Sequence, residues 1–254
     1  MSRAGSPELP PALISALRDA GHVVALTGSG ISAESGVPTF REAQTGLWER
    51  YDPQELATPG AFARDPRLVW EWYEWRRNLV REAEPNPGHR ALAELERRVH
   101  SFNLVTQNVD GLHERAGSQS VIELHGNILR SKCSLEGEAA EPEANDDSVP
   151  PRCPRCGAFL RPDVVWFGEM LPDGALEEAT EASREADLFL SIGTSSLVFP
   201  AAGLPFEAIE SGATLVEINP SETPLTRHAD HSLRGPAGEV LPALLRAAFE
   251  PRPD

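Results

Sequence analysis

A short apolar run, His22-Val23-Val24-Ala25-Leu26, ends in Thr27-Gly28-Ser29-Gly30, and this feature narrows the chain's folding choices most. Five residues of that composition read as a buried strand. A buried strand that opens into Gly-x-Gly fits the first βα turn of an open parallel sheet. There the missing Cβ atoms let backbone N–H groups approach a pyrophosphate. The third glycine, Gly36, comes later than G-x-G-x-x-G requires, and a polar, proline-bearing loop ending in Phe40-Arg41 follows. A long loop over a dinucleotide points to handling of its nicotinamide end, up to cleavage, rather than to plain hydride transfer.

The rest of the chain keeps the rhythm of a parallel α/β sheet. Further strands are expected at Phe102-Thr106, Val121-Leu124, Leu188-Ile192 and Leu215-Ile218, with amphipathic helices near Arg90-Val99, Leu176-Glu185, Ala201-Ile209 and Val240-Phe249. Two segments break it. Residues 41–85 form a tryptophan-rich helical insert in which Asp65-Pro66 reads as a helix start. Residues 130–163 hold all three cysteines and an acidic, proline-bearing loop. The expected fold is a doubly wound, Rossmann-like parallel sheet built from 12–40, 86–129 and 164–249. The two inserts make a smaller domain, the second of them zinc-ribbon-like, and the whole chain is one functional unit.

Composition sets the outer limits. At 254 residues and 40% hydrophobic the chain can bury a sizeable core. No apolar run approaches the roughly 20 residues that span a bilayer, and the N-terminus lacks the apolar stretch of a secretory signal. The expectation is a cytoplasmic protein that acts as a monomer and away from membranes. A net charge of -16 argues against direct binding of nucleic acid and is compatible with basic protein substrates. Lys132 is the only lysine among 23 basic residues, which fits a codon bias towards arginine.

Several polar residues fall at expected carboxyl edges of strands, where an open sheet places its ligand. His125 follows Val121-Leu124 and suits a general base near neutral pH, or simply satisfies a strand end. Gln107, Asn108 and Asp110 follow Phe102-Thr106. Amides and a carboxylate suit a ribose and a carboxamide, although Asn-x-Asp-Gly is also good turn chemistry. Gly193, Thr194, Ser195 and Asn219 end two later strands. In the insert, Tyr73 and Arg76 stand three residues apart on one helix face, a phenol and a guanidinium able to grip a carboxylate. The same stripe of aromatics and arginines would also serve helix packing with a salt bridge. Cys153-Pro154-Arg155-Cys156 has the C-x-x-C spacing of two thiolates sharing one zinc.

Six motifs in order make a more specific pattern: Leu26–Arg41, Thr106-Gln107-Asn108-Val109-Asp110-Gly111-Leu112-His113, Glu123-Leu124-His125-Gly126-Asn127, Val165-Trp166-Phe167-Gly168-Glu169, Gly193-Thr194-Ser195 and Ile218-Asn219-Pro220. Together they resemble the sirtuins, the Sir2-like NAD-dependent protein deacylases, over residues from about 12 to 249. The resemblance implies that His125 is the base accepting a proton from a ribose hydroxyl of NAD. It places Asn108 and Asp110 at the nicotinamide and its ribose, with Gln107 ordering the site. Gly28, Ser29, Gly30, Ile31, Ser32, Phe40, Arg41 and Trp48 would contact the cofactor, and Gly193, Thr194, Ser195, Asn219 and Ala237 its phosphate and adenosine side. Ser29 departs from the alanine usual between the glycines.

Val165, Trp166, Phe167, Gly168 and Glu169 look like the family's substrate strand, which pairs with an extended acyl-lysine peptide. Tyr73 and Arg76 resemble the pocket of the subclass that removes succinyl and other acidic groups. The family's usual four cysteines are here Cys133, Cys153 and Cys156, with Glu136 at the fourth position. Three thiolates with a carboxylate, water or nearby group would hold a structural zinc, or the module folds without metal.

The reaction implied by the resemblance transfers the acyl group of lysine to ADP-ribose and releases nicotinamide. The loop from Ser35 to Tyr51 would exclude water meanwhile. Competing readings are a protein ADP-ribosyltransferase, a nicotinamide oxidoreductase and a non-catalytic NAD-sensing module.

Overall fold

The computed structural model describes residues 9–38 and 52–250. Six parallel strands form the main sheet: β1 (His22–Thr27), β2 (Ser101–Thr106), β3 (Val121–Glu123), β6 (Leu188–Ile192), β7 (Thr214–Ile218) and β8 (His231–Leu233). Their order is β3-β2-β1-β6-β7-β8. Between β3 and β6 the chain makes a separate antiparallel pair, β4 (Gly126–Cys133) and β5 (Leu160–Val164). The helices are α1 (Pro11–Asp19), α2 (Ser29–Ala33), α3 (Pro53–Leu56), α4 (Pro59–Arg64), α5 (Pro66–Glu82), α6 (Pro87–Glu96), α7 (Leu112–Ala116), α8 (Ala175–Glu185), α9 (Leu204–Glu210) and α10 (Ala237–Phe249).

Every strand of a parallel sheet covered on both faces can be apolar throughout, and the side-chain period of two divides it between two cores. Along β1, Val23 and Ala25 pack with Leu13, Leu92 and Leu241 of α1, α6 and α10. Val24 and Leu26 pack on the other face with Ala179, Ala182 and Ala208 of α8 and α9. The chain leaves β1 towards β2 on one side and later returns to β6 on the other. The carboxyl ends of β1 and β6 are therefore the topological switch point, the expected ligand crevice. Thr27 lies level with both Thr106 and Ile192.

A third core packs the first insert against the residues that flank the second. Leu56, Phe62, Val69, Trp72 and Tyr73 pack with Ile128, Val164 and Trp166. Helix α5 begins as expected, with the Asp65 side chain accepting from Leu68 N at 3.0 Å and Pro66 at its first position. Arg77 on this helix is buried and pins it to β4, donating to the carbonyls of Ile128 at 2.6 Å and Arg130 at 2.9 Å.

Several features depart from the sequence reading, among them β4 and α7, which no apolar run marks. Helix α1 and the edge strand β8 were not expected; at three residues β8 is too short to show a period. Expected as a strand, Val165–Glu169 is instead an extended step followed by a turn, because β5 ends at Val164. Gly168 takes φ +89°, and the Glu169 carboxylate folds back to accept from Trp166 N at 2.8 Å.

Candidate active site

The switch point explains the glycines. Gly30 N donates to Gly193 O at 2.8 Å, so the turn after β1 and the turn after β6 touch through their backbones. A Cβ on Gly30 would stand 2.7 Å from Gly193 Cα, and one on Gly193, at φ +59°, would stand 2.5 Å from Ile31 N. The glycines are needed for this mutual approach, whatever lies above them.

Above the two turns opens a cavity of about 1300 Å³. That exceeds the roughly 300–1,000 Å³ of an ordinary small-ligand site and suits a dinucleotide together with a second ligand. Its lining includes Gly28, Ser29, Gly30, Ser32, Gln107, Asn108, Asp110, His125, Gly193, Thr194, Ser195 and Asn219, together with Tyr73, Arg76 and all of Val165–Glu169. The side chains of Ile31 and Ala237 lie in the apolar core and not in this lining. Phe40, Arg41 and Trp48 fall outside the described residues.

The hydrogen bonds fix which atoms face a ligand. His125 Nδ1 lies 2.9 Å from the Gln107 carbonyl, which can only accept, so Nδ1 carries the proton and Nε2 the lone pair. Burial lowers the His125 pKa from 6.5, opposed by the bond to Gln107. The imidazole is therefore neutral and basic at pH 7. Asn108 uses its amide hydrogens on Gly28 O and Ser32 Oγ, both at 3.1 Å, and so offers a ligand its carbonyl oxygen. Asp110 is buried, accepting from Ser32 Oγ at 2.8 Å and Leu112 N at 3.0 Å, and desolvation raises its pKa. Gln107 Nε2 reaches Thr194 Oγ1 at 3.3 Å, and Asn219 Nδ2 donates to Thr194 O at 2.8 Å, tying the carboxyl edges of β2, β6 and β7 together.

Tyr73 and Arg76 reach the same cavity from α5. Tyr73 is buried and its hydroxyl accepts from Trp166 Nε1 at 3.0 Å. The Arg76 guanidinium lies 4.9 Å from the centroid of the Trp72 ring and 5.7 Å from that of Tyr73. Burial lowers its pKa, but an arginine stays protonated. Packing, the other meaning of the stripe, holds as well: Arg76 lies against the Trp72 and Tyr73 rings, and its neighbour Arg77 pairs with Glu74 and stacks on Trp70.

The three cysteines lie in the small module. Cys133 ends β4, and Cys153 and Cys156 sit in the turn before β5. One ligand atom each of Cys133, Glu136, Cys153 and Cys156 lies within 4.8 Å of the others. Cys133 Sγ and Cys156 Sγ are 3.4 Å apart, near the roughly 3.8 Å edge of a tetrahedral zinc–thiolate site. Glu136 Oε2 accepts from Arg155 at 3.0 Å, which leaves Oε1 for a metal. Three thiolates and a carboxylate are a donor set that fits zinc.

Sequence reasoning missed the support behind the lining. Asn86 N donates to His89 Nδ1 at 3.3 Å, so His89 Nε2 carries its proton and donates to Ser32 Oγ at 3.4 Å. Behind Thr27, His113 Nε2 lies 2.9 Å from its hydroxyl. Ser221, Glu222 and Thr223 also line the cavity. Their one signal was position, just past the carboxyl end of β7.

Comparison with known proteins agrees with this geometry. The Sir2 family model matches residues 28–200. A protein of Methylococcus capsulatus named NAD-dependent protein deacylase is 52% identical over 97% of this chain and 100% of its own. One of the same name from Thermus thermophilus is 57% identical over 90% and 91%. Among solved structures, a Sir2 homologue in complex with NAD superposes with a TM-score of 0.88 at 49% identity, covering 96% of this chain and 95% of that one. A Sir2 protein bound to an acetylated peptide gives 0.83 at 32% identity, over 92% and 96%. The fold and the crevice are those of an NAD-dependent enzyme, and the chain belongs to the Sir2 family. Its relatives carry the name NAD-dependent protein deacylase.

Proposed function

We propose that the chain, as an NAD-dependent protein deacylase, removes acetyl groups and also succinyl and other acidic acyl groups from protein lysines. The observation that carries this reading is that Tyr73 and Arg76 line the same cavity as His125. A carboxylate at the end of an acyl chain would meet a cation and a phenol there. A methyl group would make no hydrogen bond with either. Charge-assisted hydrogen bonds contribute about 1.5–3 kcal/mol each.

NAD, when bound, supplies a glycosidic bond whose cleavage drives removal of the acyl group. The protein's part follows from its own atoms. Nε2 of His125 takes the proton of a ribose hydroxyl. The Asn108 carbonyl oxygen and the Ser32–Asp110 pair orient polar groups of the ribose and carboxamide. Thr194, Ser195 and Asn219 take the adenosine side. Phe167 and Gly168 present backbone to an acyl-lysine peptide. Residues 12–40, 86–129 and 164–249 make the nucleotide-binding part, and 41–85 with 130–163 the small domain. No helix among the described residues is long and apolar enough to cross a membrane, and the same proposal places the enzyme in the cytoplasm.

Turnover of matched succinyl- and acetyl-lysine peptides with NAD tests the reading. Arg76→Met should lower kcat/KM for the succinyl peptide about 10- to 100-fold and that for the acetyl peptide much less. Equal losses would sink the acyl assignment. NAD-dependent labelling of protein in the absence of an acylated lysine would favour ADP-ribosyl transfer instead.

A further inference from the structure

We propose that Trp166 is a positioning residue for acyl selectivity, its indole N–H fixing the Tyr73 hydroxyl as a donor towards the acyl group. The inference rests on the reading of Tyr73 and Arg76 as the acyl-recognising pair and adds the residue that sets the polarity of one of them.

An indole N–H can only donate. Trp166 Nε1 lies 3.0 Å from the Tyr73 hydroxyl, so the phenol oxygen accepts, and the phenol's own proton must point elsewhere. No described residue accepts that proton, and Tyr73 lines the cavity. Burial raises the Tyr73 pKa and keeps the proton in place. Arg76 has no acceptor on its guanidinium. Tyr73 and Arg76 thus present the acyl group with donors only, which complements a carboxylate and rejects nothing about its shape. Without the indole N–H, the Tyr73 hydroxyl could turn and offer its lone pair to the acyl carboxylate, replacing an attraction by a repulsion.

The indole is itself held in place, so the direction of this bond is built into the fold. The Arg161 guanidinium lies 3.3 Å from the centroid of the Trp166 ring. Arg161 grips Glu169 through both nitrogens, at 2.5 and 2.9 Å, and Glu169 Oε2 accepts from Trp166 N at 2.8 Å. Phe62 packs against the indole with centroids 5.3 Å apart. Trp166 is 2% exposed. A residue expected to touch the acyl-lysine peptide directly therefore also reaches the acyl end through Tyr73, from the turn that carries the substrate segment.

The test compares kcat and KM for matched succinyl- and acetyl-lysine peptides at saturating NAD. The proteins are the wild type, Arg76→Met, Trp166→Phe, and a form with 3-benzothienylalanine at 166, which replaces the N–H by sulfur and keeps the ring. Loss of one oriented hydrogen bond to a charged group should lower the succinyl-over-acetyl ratio of kcat/KM about tenfold, mainly through KM for the succinyl peptide. In a Tyr73→Phe background the benzothienyl replacement should leave the ratio unchanged, because the group it acts through is gone. A packing role would lower both activities alike and leave the ratio where it was. An unchanged ratio in the folded benzothienyl protein overturns the proposal, as does an undiminished fall in the Tyr73→Phe background. If Trp166→Phe does not fold, the benzothienyl form decides alone. Should Arg76→Met lower the ratio while the replacements at 166 do not, this inference fails and the acyl pocket stands. Should Arg76→Met leave it unchanged, both fail.

Discussion

Gly30→Ala sets two well-known effects against each other. Gly30 lies inside helix α2, where alanine is ordinarily better than glycine by about 1 kcal/mol. Here the added Cβ would stand 2.7 Å from both Cα and O of Gly193 and 3.0 Å from its carbonyl carbon. All three are backbone atoms, so no side chain can swing aside. To reach even the 3.0 Å that real Cβ atoms tolerate, the turns after β1 and β6 must part by about 0.3 Å. Overpacking of this kind costs typically 1–3 kcal/mol. Subtracting the helix gain leaves a net loss of about 0–2 kcal/mol, or up to roughly 8 °C in Tm for a chain of this size. The same parting separates Gly28 and Ser29 from Thr194 and Ser195 across the cofactor crevice. Since a 1 Å misplacement can cost about a hundredfold, about 0.3 Å should lower kcat/KM for NAD roughly fourfold and show as a raised KM. Gly60→Ala is the control, because its Cβ would meet only the Arg64 side chain, at 3.5 Å, at an exposed position of helix α4. It should be neutral or slightly stabilising. Thermal melts and NAD titrations of the two variants suffice. Were Gly30→Ala to melt with the wild type and keep its KM, the contact between the two turns would not be tight and the account of the glycines would fall.

Three further outcomes follow from the same geometry. Because burial lowers the His125 pKa, the acid limb of kcat/KM should lie below pH 6.5 and vanish with residual activity in His125→Ala; a limb above 6.5 would contradict the buried neutral base. Burial holds the His89 pKa at about 4, so between pH 6.5 and 4 the unfolded chain binds a proton that the folded one does not, and stability is lost as pH falls through that window. Urea melts should show about 2 kcal/mol less stability at pH 5 than at pH 7 from this residue, and His89→Gln should remove that share. Metal analysis of the purified protein should find one zinc per chain, less firmly retained against a chelator in Glu136→Ala and more firmly in Glu136→Cys; zinc retention indifferent to residue 136 would exclude the carboxylate as a ligand.

Much of this site was legible before the structure, and for a simple reason. In a parallel sheet the ligand sits beyond the carboxyl ends of the strands, so an apolar run marks the place and the polar residues after it name the chemistry. Gly28, Gln107, His125 and Gly193 each follow such a run, and each lines the cavity. The segment Val165–Glu169 reads as a strand because it resembles the family's substrate strand. Its turn depends on Glu169 folding back on Trp166 under the grip of Arg161, a contact eight residues long that periodicity does not encode.

By its pattern of apolar runs, glycines and edge polar groups, the sequence alone determined five of the six strands of the sheet, the position of its crevice and the residue types that line it. Only the tertiary structure decided which atom of each residue is offered. The proton on His125 Nδ1 depends on a carbonyl 18 residues away, and the donor role of Tyr73 on an indole 93 residues away. Arg76 and Arg77 are adjacent and chemically identical, yet one faces the cavity and the other locks α5 to β4. Composition fixes which hydrogen bonds are possible, whereas directionality is settled by partners that the folded backbone brings within 3 Å or so.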